Sequence, residues 1–354
     1  VTPDRVFVVE TADSETVAVR ALDRATGAEV WKRVWAGTGS VPFFARSNGD
    51  WVRSTPAFDG STLFVGDMSE VLVALDATNG KERWRVDFPA RFGTEIPHFG
   101  FASSPLVEGD AVYVQAANSL VKLDKRTGAT LWRALDGDGK MKSSGAFSSP
   151  VLAEIHGERQ LVVLTRLALS GLSTETGKVL WSKEIPSFRG MHILTPVIVG
   201  NSIFTSPYKE RSYLYTIRRT EQGFEVDESW TNPATGYMST PVVIDGHAYM
   251  HLGNRRVDCI DLATGESRWR SSESFGKYWS MAYQDDKILA LDADGSLYLV
   301  RADPDAFEVL DTRRISDQET WGHLAIVDDE LFVRELEAIA AYRWSRGPAP
   351  GDTD

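Results

Sequence analysis

Apolar residues along this chain come in short runs, and turn residues separate each run from the next. Asp59-Gly60 precedes Leu63-Phe-Val65, a second run covers Val71-Leu-Val-Ala-Leu75, and a turn from Asp76 to Gly80 leads into a run through Trp84. Runs this short, rich in β-branched residues and bounded by Asp, Gly and Pro, predict strands rather than helices. The whole succession repeats. Asp23-Arg-Ala-Thr-Gly27 leads to Trp31, Asp76-Ala-Thr-Asn-Gly80 to Trp84, Asp124-Lys-Arg-Thr-Gly128 to Trp132, Ser173-Thr-Glu-Thr-Gly177 to Trp181 and Asp261-Leu-Ala-Thr-Gly265 to Trp269, with a degenerate copy ending at Trp230. A recurrence of roughly 40 to 50 residues is a propeller-blade period.

A second marker fixes the phase of the repeat. Ser54-Thr55-Pro56, Ser103-Ser104-Pro105, Ser148-Ser149-Pro150, Thr195-Pro196 and Ser239-Thr240-Pro241 each precede a copy and mark the first of four short strands. Two further copies, around Trp279 to Val300 and His323 to Tyr342, keep the rhythm without the Trp turn. The expectation is an all-β, eight-bladed β-propeller of four-stranded antiparallel blades, a single domain over residues 1–346 with a disordered tail at 347–354. The first blade lacks its first strand and the last lacks its fourth. Because unpaired strand edges are a pairing hazard, both are expected to come from residues upstream of Val1, and the start without Met fits a removed leader or a longer parent chain.

The turn has a physical basis. Asp accepts hydrogen bonds from backbone N–H groups just ahead of it, Thr does so more weakly, and Gly takes positive φ without steric penalty. The Trp that follows carries a large apolar area, and at a constant phase it is expected to dock each fourth strand against the neighbouring blade.

Composition then narrows the function. With 42% hydrophobic and 25% charged residues the 354-residue chain can pack a core, and its net charge of -12 opposes binding to nucleic acid or anionic lipid. The single Cys259 lies in an apolar run, reads as inert core and rules out an internal disulfide or a C-x-x-C-H haem site. No apolar run reaches membrane-spanning length. Gly-x-Ser-x-Gly, His-Glu-x-x-His and the phosphate-binding Gly-x-x-x-x-Gly-Lys-Ser are all absent. Asp292-Ala-Asp-Gly-Ser296 starts like a calcium loop, but its Gly comes too early and a strand follows at once; it reads as a β-turn, as does Asp136-Gly-Asp-Gly-Lys140.

The Ala-x-Asp-x-x-Thr-Gly-x-x-x-Trp pattern, best kept at Ala21 to Trp31 and, with Asn79 for Thr, at Ala74 to Trp84, resembles the tryptophan-docking motif of pyrroloquinoline-quinone (PQQ) type propellers. The resemblance covers nearly the whole chain. That superfamily includes quinoprotein alcohol dehydrogenases, the non-enzymatic assembly lipoprotein of the Bam complex and uncharacterised secreted propellers of bacteria such as planctomycetes. Stretches such as Gly100 to Pro105, Tyr237 to Pro241 and Gly276 to Ser280 most resemble the last group. The resemblance implies a periplasmic or secreted protein of the bacterial envelope. It specifies fold more strongly than activity.

Residues just before each first strand are expected around the mouth of the central channel: Trp51, Arg53, His98, Phe101, Lys142, Phe147, His192, Tyr237, Tyr278, Trp279, Trp321 and His323. Large side chains there either fill the channel or form an aromatic, imidazole and basic binding ring suited to a protein partner or a small anionic or planar ligand. The favoured reading is a monomeric, non-catalytic binding or scaffold propeller, with no cofactor or metal assigned. The alternative is a PQQ-dependent dehydrogenase of alcohols or sugars, using PQQ with calcium. It requires a carboxylate pair near Trp279 or Trp321, for which Asp50, Glu95, Glu273, Asp317 and Glu319 are near enough in sequence, and room for a tricyclic ring.

Overall fold

The computed structural model describes residues 1–13, 16–37, 39, 41–42, 51–140 and 144–344. The fold is an all-β, eight-bladed propeller whose blades are antiparallel sheets taken in chain order. Six have four strands; the first (Arg5–Thr11, Thr16–Asp23, Glu29–Ala36) and the last (Ala325–Val327, Glu330–Arg334, Ile339–Arg343) have three among the described residues. The expected tail at 347–354 lies outside the described residues. By internal contacts the chain forms two compact units, one over Asp4–Gly236 with blades 1 to 5, the other from Tyr237 onward together with Val1–Pro3, with blades 6 to 8.

Blade 2 shows the pattern: Ala57–Phe58, Thr62–Gly66, Val71–Asp76 and Glu82–Asp87, each paired antiparallel with the next. Its second strand is buried at every position, as is Ala111–Ala116 in blade 3, because both faces of a middle strand meet a neighbouring blade. That is why these runs are continuously apolar instead of alternating. The core lies between sheets: Phe64, Leu72, Ala74 and Val86 of blade 2 pack with Val112, Val114, Val121 and Leu123 of blade 3.

The repeated turn forms as its chemistry demands. Asp23 Oδ1 accepts from the Thr26 amide at 3.0 Å and its hydroxyl at 2.8 Å, and Gly27 N–H donates to Asp23 O at 2.8 Å. Asp124 and Thr127 repeat this, and in both turns the Thr hydroxyl holds the carboxyl below its ordinary range. Gly295 N–H closes on Asp292 O at 3.0 Å, so the calcium-like stretch is a β-turn.

The tryptophans dock between blades. Trp31 donates Nε1–H to Ala77 O at 3.0 Å and lies so close to Gly80 that a Cβ there would come within 2.6 Å of the ring; Trp84 does the same with Lys125 O (3.0 Å) and Gly128 (2.7 Å). Gly80 and Gly128 are therefore needed twice, for a φ near +70° and for the ring above them. In three blades the Trp faces a small residue of its own sheet and then an aromatic: Trp31, Ala21, Phe7; Trp84, Ala74, Phe64; Trp269, Cys259, Tyr249. A register shift follows the Trp-paired position in all six Trp blades, so each blade carries a bulge that turns the fourth strand.

Blade 4 departs from this pattern. Trp181 is 4% exposed and donates to Gln160 Oε1 at 2.8 Å inside its own blade, lying over Gly171. Blade 5 joins its third and fourth strands by a plain hairpin from Thr220 to Gly223, without the docking turn that would receive Trp181. At Trp132 the carbonyl matching Ala77 O and Lys125 O, that of Thr174, is taken by Lys122 Nζ at 2.8 Å and the Tyr113 hydroxyl at 3.2 Å.

Candidate functional site

The Ser/Thr-Pro marker does more than set phase, because its hydroxyls tie neighbouring blades. Thr55 N–H donates to Ser104 Oγ at 2.9 Å and Ser104 N–H to Ser149 Oγ at 3.0 Å across blades 2, 3 and 4. In the second unit Trp279 N–H donates to Ser239 Oγ and Leu324 N–H to Ser280 Oγ, both at 3.2 Å. These bonds hold the segments that carry the candidate residues.

In the unit over Asp4–Gly236, the guanidinium of Arg53 lies 5.9 Å from the Phe99 ring centre, Phe99 meets Phe147 edge-on at 5.3 Å, and Arg166 stands 5.2 Å over Phe147. Two cations thus bracket a pair of aromatic rings across blades 2, 3 and 4. Trp51 and His98 are exposed. Two expected members are core instead. Phe101, 2% exposed, packs on Phe88 and would clash with a Cβ at Gly66, so it fills the space between blades 2 and 3. His192 is 1% exposed, and burial pushes its imidazole down to about 4, so it is neutral at neutral pH. Lys142 lies outside the described residues.

Sequence reading missed Arg166, which sits in the turn between the second and third strands of blade 4 within the run Leu164 to Ser170. Its guanidinium donates to Ser144 O and Arg189 O at 2.8 Å and to Gly190 O at 3.2 Å, gathering two loops. Beside it, Phe188 is 38% exposed, with Tyr208 edge-on at 6.3 Å, Arg189 5.1 Å from its ring centre and Lys209 4.7 Å from it. Arg189 (φ 56°) and Lys209 (φ 59°) are both left-handed without being Gly, a conformation costing roughly 1–2 kcal/mol each. Neither has a carboxylate partner within 4 Å among the described residues.

The unit from Tyr237 carries its own aromatic row. Tyr237 and Tyr278 lie 5.7 Å apart, Tyr278 and Trp321 likewise, and Lys277 stands 5.0 Å over Tyr278. His323 is exposed, its Nδ1 2.9 Å from Leu324 O. Trp279 does not join this row. It is 3% exposed, with Phe275 at 4.5 Å, His251 stacked at 5.5 Å and Tyr298 at 5.7 Å. His251, missed in the sequence because it lies within a strand, is fully buried and pushed down to about 4 by burial.

These contacts test the quinone alternative. A platform below a planar cofactor needs an open indole face, and Trp279 has three protein rings against it in the core. Glu95, Glu273, Asp317 and Glu319 are all exposed, and Asp50 lies outside the described residues. Among the described residues no three His, Cys, Asp or Glu side chains converge as metal ligands. The residues at Trp279 do not fit PQQ.

Comparison with known proteins agrees with the architecture. The chain is 22% identical over 333 residues to the outer membrane protein assembly factor BamB of Shewanella oneidensis, covering 89% of this chain and 76% of that protein. It is 25% identical over 268 residues to the Yersinia pestis BamB, covering 69% of this chain and 64% of that one, so it spans under two thirds of the Yersinia protein. The crystal structure of BamB from Moraxella catarrhalis superposes with a TM-score of 0.68 at 16% identity, over 97% of this chain and 95% of that one. The fold is also shared by the dihydro-heme d1 dehydrogenase NirN, at a TM-score of 0.63 and 13% identity over 97% of this chain and 71% of that one. No helix among the described residues is long and apolar enough to cross a membrane. The family model described as outer membrane protein assembly factor BamB matches residues 15–271, and the chain belongs to that family.

Proposed function

We propose that this chain is a non-catalytic binding propeller of the bacterial envelope that takes part in outer membrane protein assembly by docking a protein partner on loops at the ends of blades 4 and 5. The carrying observation is the exposed ring of Phe188, flanked by Tyr208 and by two cations, Arg189 and Lys209, that have no carboxylate partner among the described residues. An exposed aromatic anchor ringed by free cations suits an acidic segment bearing an apolar side chain. The chain's own net charge of -12 makes such a patch a local exception that would steer an acidic partner to one place. The row of Arg53, Phe99 and Phe147 and the row of Tyr237, Tyr278 and Trp321 are proposed as further contact surface in their respective units.

The test is site-specific photo-cross-linking in the native host, with the cross-linker at Phe188 and, as control, at the exposed Tyr283. The expected result is an adduct with an envelope assembly component from position 188, lost in the Arg189→Glu and Lys209→Glu double variant. Equal adducts from both positions, or adducts indifferent to the charge reversal, would overturn the proposal.

A further inference from the structure

A cavity of about 270 Å³ lies between blades 3 and 4. Gln115 and Asn118 of blade 3 and Arg166, Ser170, Ser182 and Glu184 of blade 4 are among the residues that line it. At about 30 Å³ per water it holds the equivalent of about nine waters. That is below the usual range of about 300–1,000 Å³ for larger organic ligands, so a guest has few non-hydrogen atoms.

Two opposite charges face this space without meeting. Arg166 is 7% exposed, and its counterparts are three backbone carbonyls and the Phe147 ring, not a carboxylate. Three of its five N–H donors are used, which leaves two. Glu184 is exposed on the fourth strand of blade 4, opposite Ala168, and has no cation within 4 Å among the described residues. Asp136, also at the cavity, is already paired with Arg133 at 3.1 Å. A nearly buried cation without an anion is costly, and burial lowers the Arg166 pKa accordingly. An anion delivered to the two remaining donors would relieve that cost. The same anion alone would meet the repulsion of Glu184, and a cation alone that of Arg166. A molecule carrying both charges satisfies both walls.

We propose that the cavity binds a small zwitterion of amino-acid size, its carboxylate on Arg166 and its ammonium toward Glu184. The hydroxyls of Ser170 and Ser182, 2.8 Å apart, and the amides of Gln115 and Asn118 supply further polar lining. The assignment does not rest on partner docking at Phe188, although Arg166 also holds the loop that carries Phe188.

The experiment is calorimetric titration of the full chain with glycine, β-alanine and 4-aminobutanoate, which set the two charges progressively farther apart, and with acetate and methylamine as the separate halves. At least one zwitterion should bind saturably and at least about tenfold more tightly than either half. Glu184→Gln changes an exposed side chain and should weaken that zwitterion about tenfold while leaving acetate no weaker. Arg166→Met should abolish binding of both; should it fail to fold because two loops lose their tie, the probe series and Glu184→Gln still decide. Absence of saturable binding by every zwitterion, halves that bind as well as the whole, or indifference to Glu184→Gln would overturn the assignment. The probe series on the parent chain and Glu184→Gln leave the Phe188 loop untouched, so the two readings fail separately.

Discussion

The indole of Trp181 lies directly over Gly171, its cross-strand neighbour, and a Cβ built on that glycine would come 2.1 Å from the ring. Trp31, Trp84, Trp132 and Trp269 reach out to the next blade, whereas this one is folded back onto its own sheet and bonded to Gln160. Gly171 is therefore a packing requirement of the neighbouring side chain. Gly171→Ala should lower stability by about 1–3 kcal/mol in urea denaturation, as overpacking does. Adding Trp181→Leu to that variant should recover part of the loss, since the ring that clashes is gone. A single variant as stable as the parent would show that Trp181 has other room.

Trp84 tests docking between blades. Trp84→Ala removes a ring held by Phe64, by Gly128 and by the hydrogen bond to Lys125 O, and should cost about 3–5 kcal/mol. Trp84→Phe keeps most of the area and loses the bond, so about 1 kcal/mol is expected. Denaturation midpoints at a shared urea slope measure both.

Stability should fall as pH rises toward mild alkali. Burial pushes Glu70, 1% exposed in a left-handed turn at φ 61°, up to about 8, and pushes the fully buried Asp67 up to about 6. Both folded pKa values lie above the unfolded ones, so each group's contribution is fully present below the ordinary carboxylate range and is lost as pH climbs through the folded value. Within that window each group contributes a slope of up to about 1.4 kcal/mol per pH unit. Glu70→Gln should flatten the loss measured between pH 6 and 8; an unchanged slope would remove Glu70 as its source.

The histidines act in the opposite direction. His192 and His251, both pushed down to about 4 by burial, are neutral in the fold and take up protons more readily when unfolded. Their contribution is present above the unfolded value near 6.5 and is lost as pH falls toward about 4. His251→Phe keeps a ring against Trp279 and should reduce acid destabilisation in that interval, read as the change in unfolding free energy between pH 6.5 and 4.5.

Blade count, strand order and docking turns were legible because a propeller repeats its chemistry: Asp to close the turn, Gly beneath a ring, Trp above it. The exception at Trp181 also left a signal, since blade 4 has Val162 and Gly171 where blade 2 has Phe64 and Ala74, and blade 5 lacks the docking turn. The candidate site was less legible. Phe101 and His192 precede first strands just as Arg53 and Tyr278 do, but position in a loop does not say whether a side chain turns outward or between sheets, and theirs turn inward; Trp279, expected just before its strand, is instead the strand's first residue and is buried with it. Arg166 was hidden because an apolar run conceals the turn it occupies, and nothing local reveals that three carbonyls from two other loops will gather around it.

The bond from Trp84 to Lys125 and its seat on Gly128 also bear on how such a chain can grow or shrink by inheritance. Because a docking blade such as blade 2 carries both a receptor turn (Asp76 to Gly80) and an indole (Trp84), duplication of such a whole blade keeps one receptor for each indole, whereas a blade without the turn, like blade 5, leaves the preceding indole without one. In blade 4 the indole left without a docking turn is seated over Gly171 of its own sheet and bonded to Gln160, so the loss of one turn is absorbed inside a single blade.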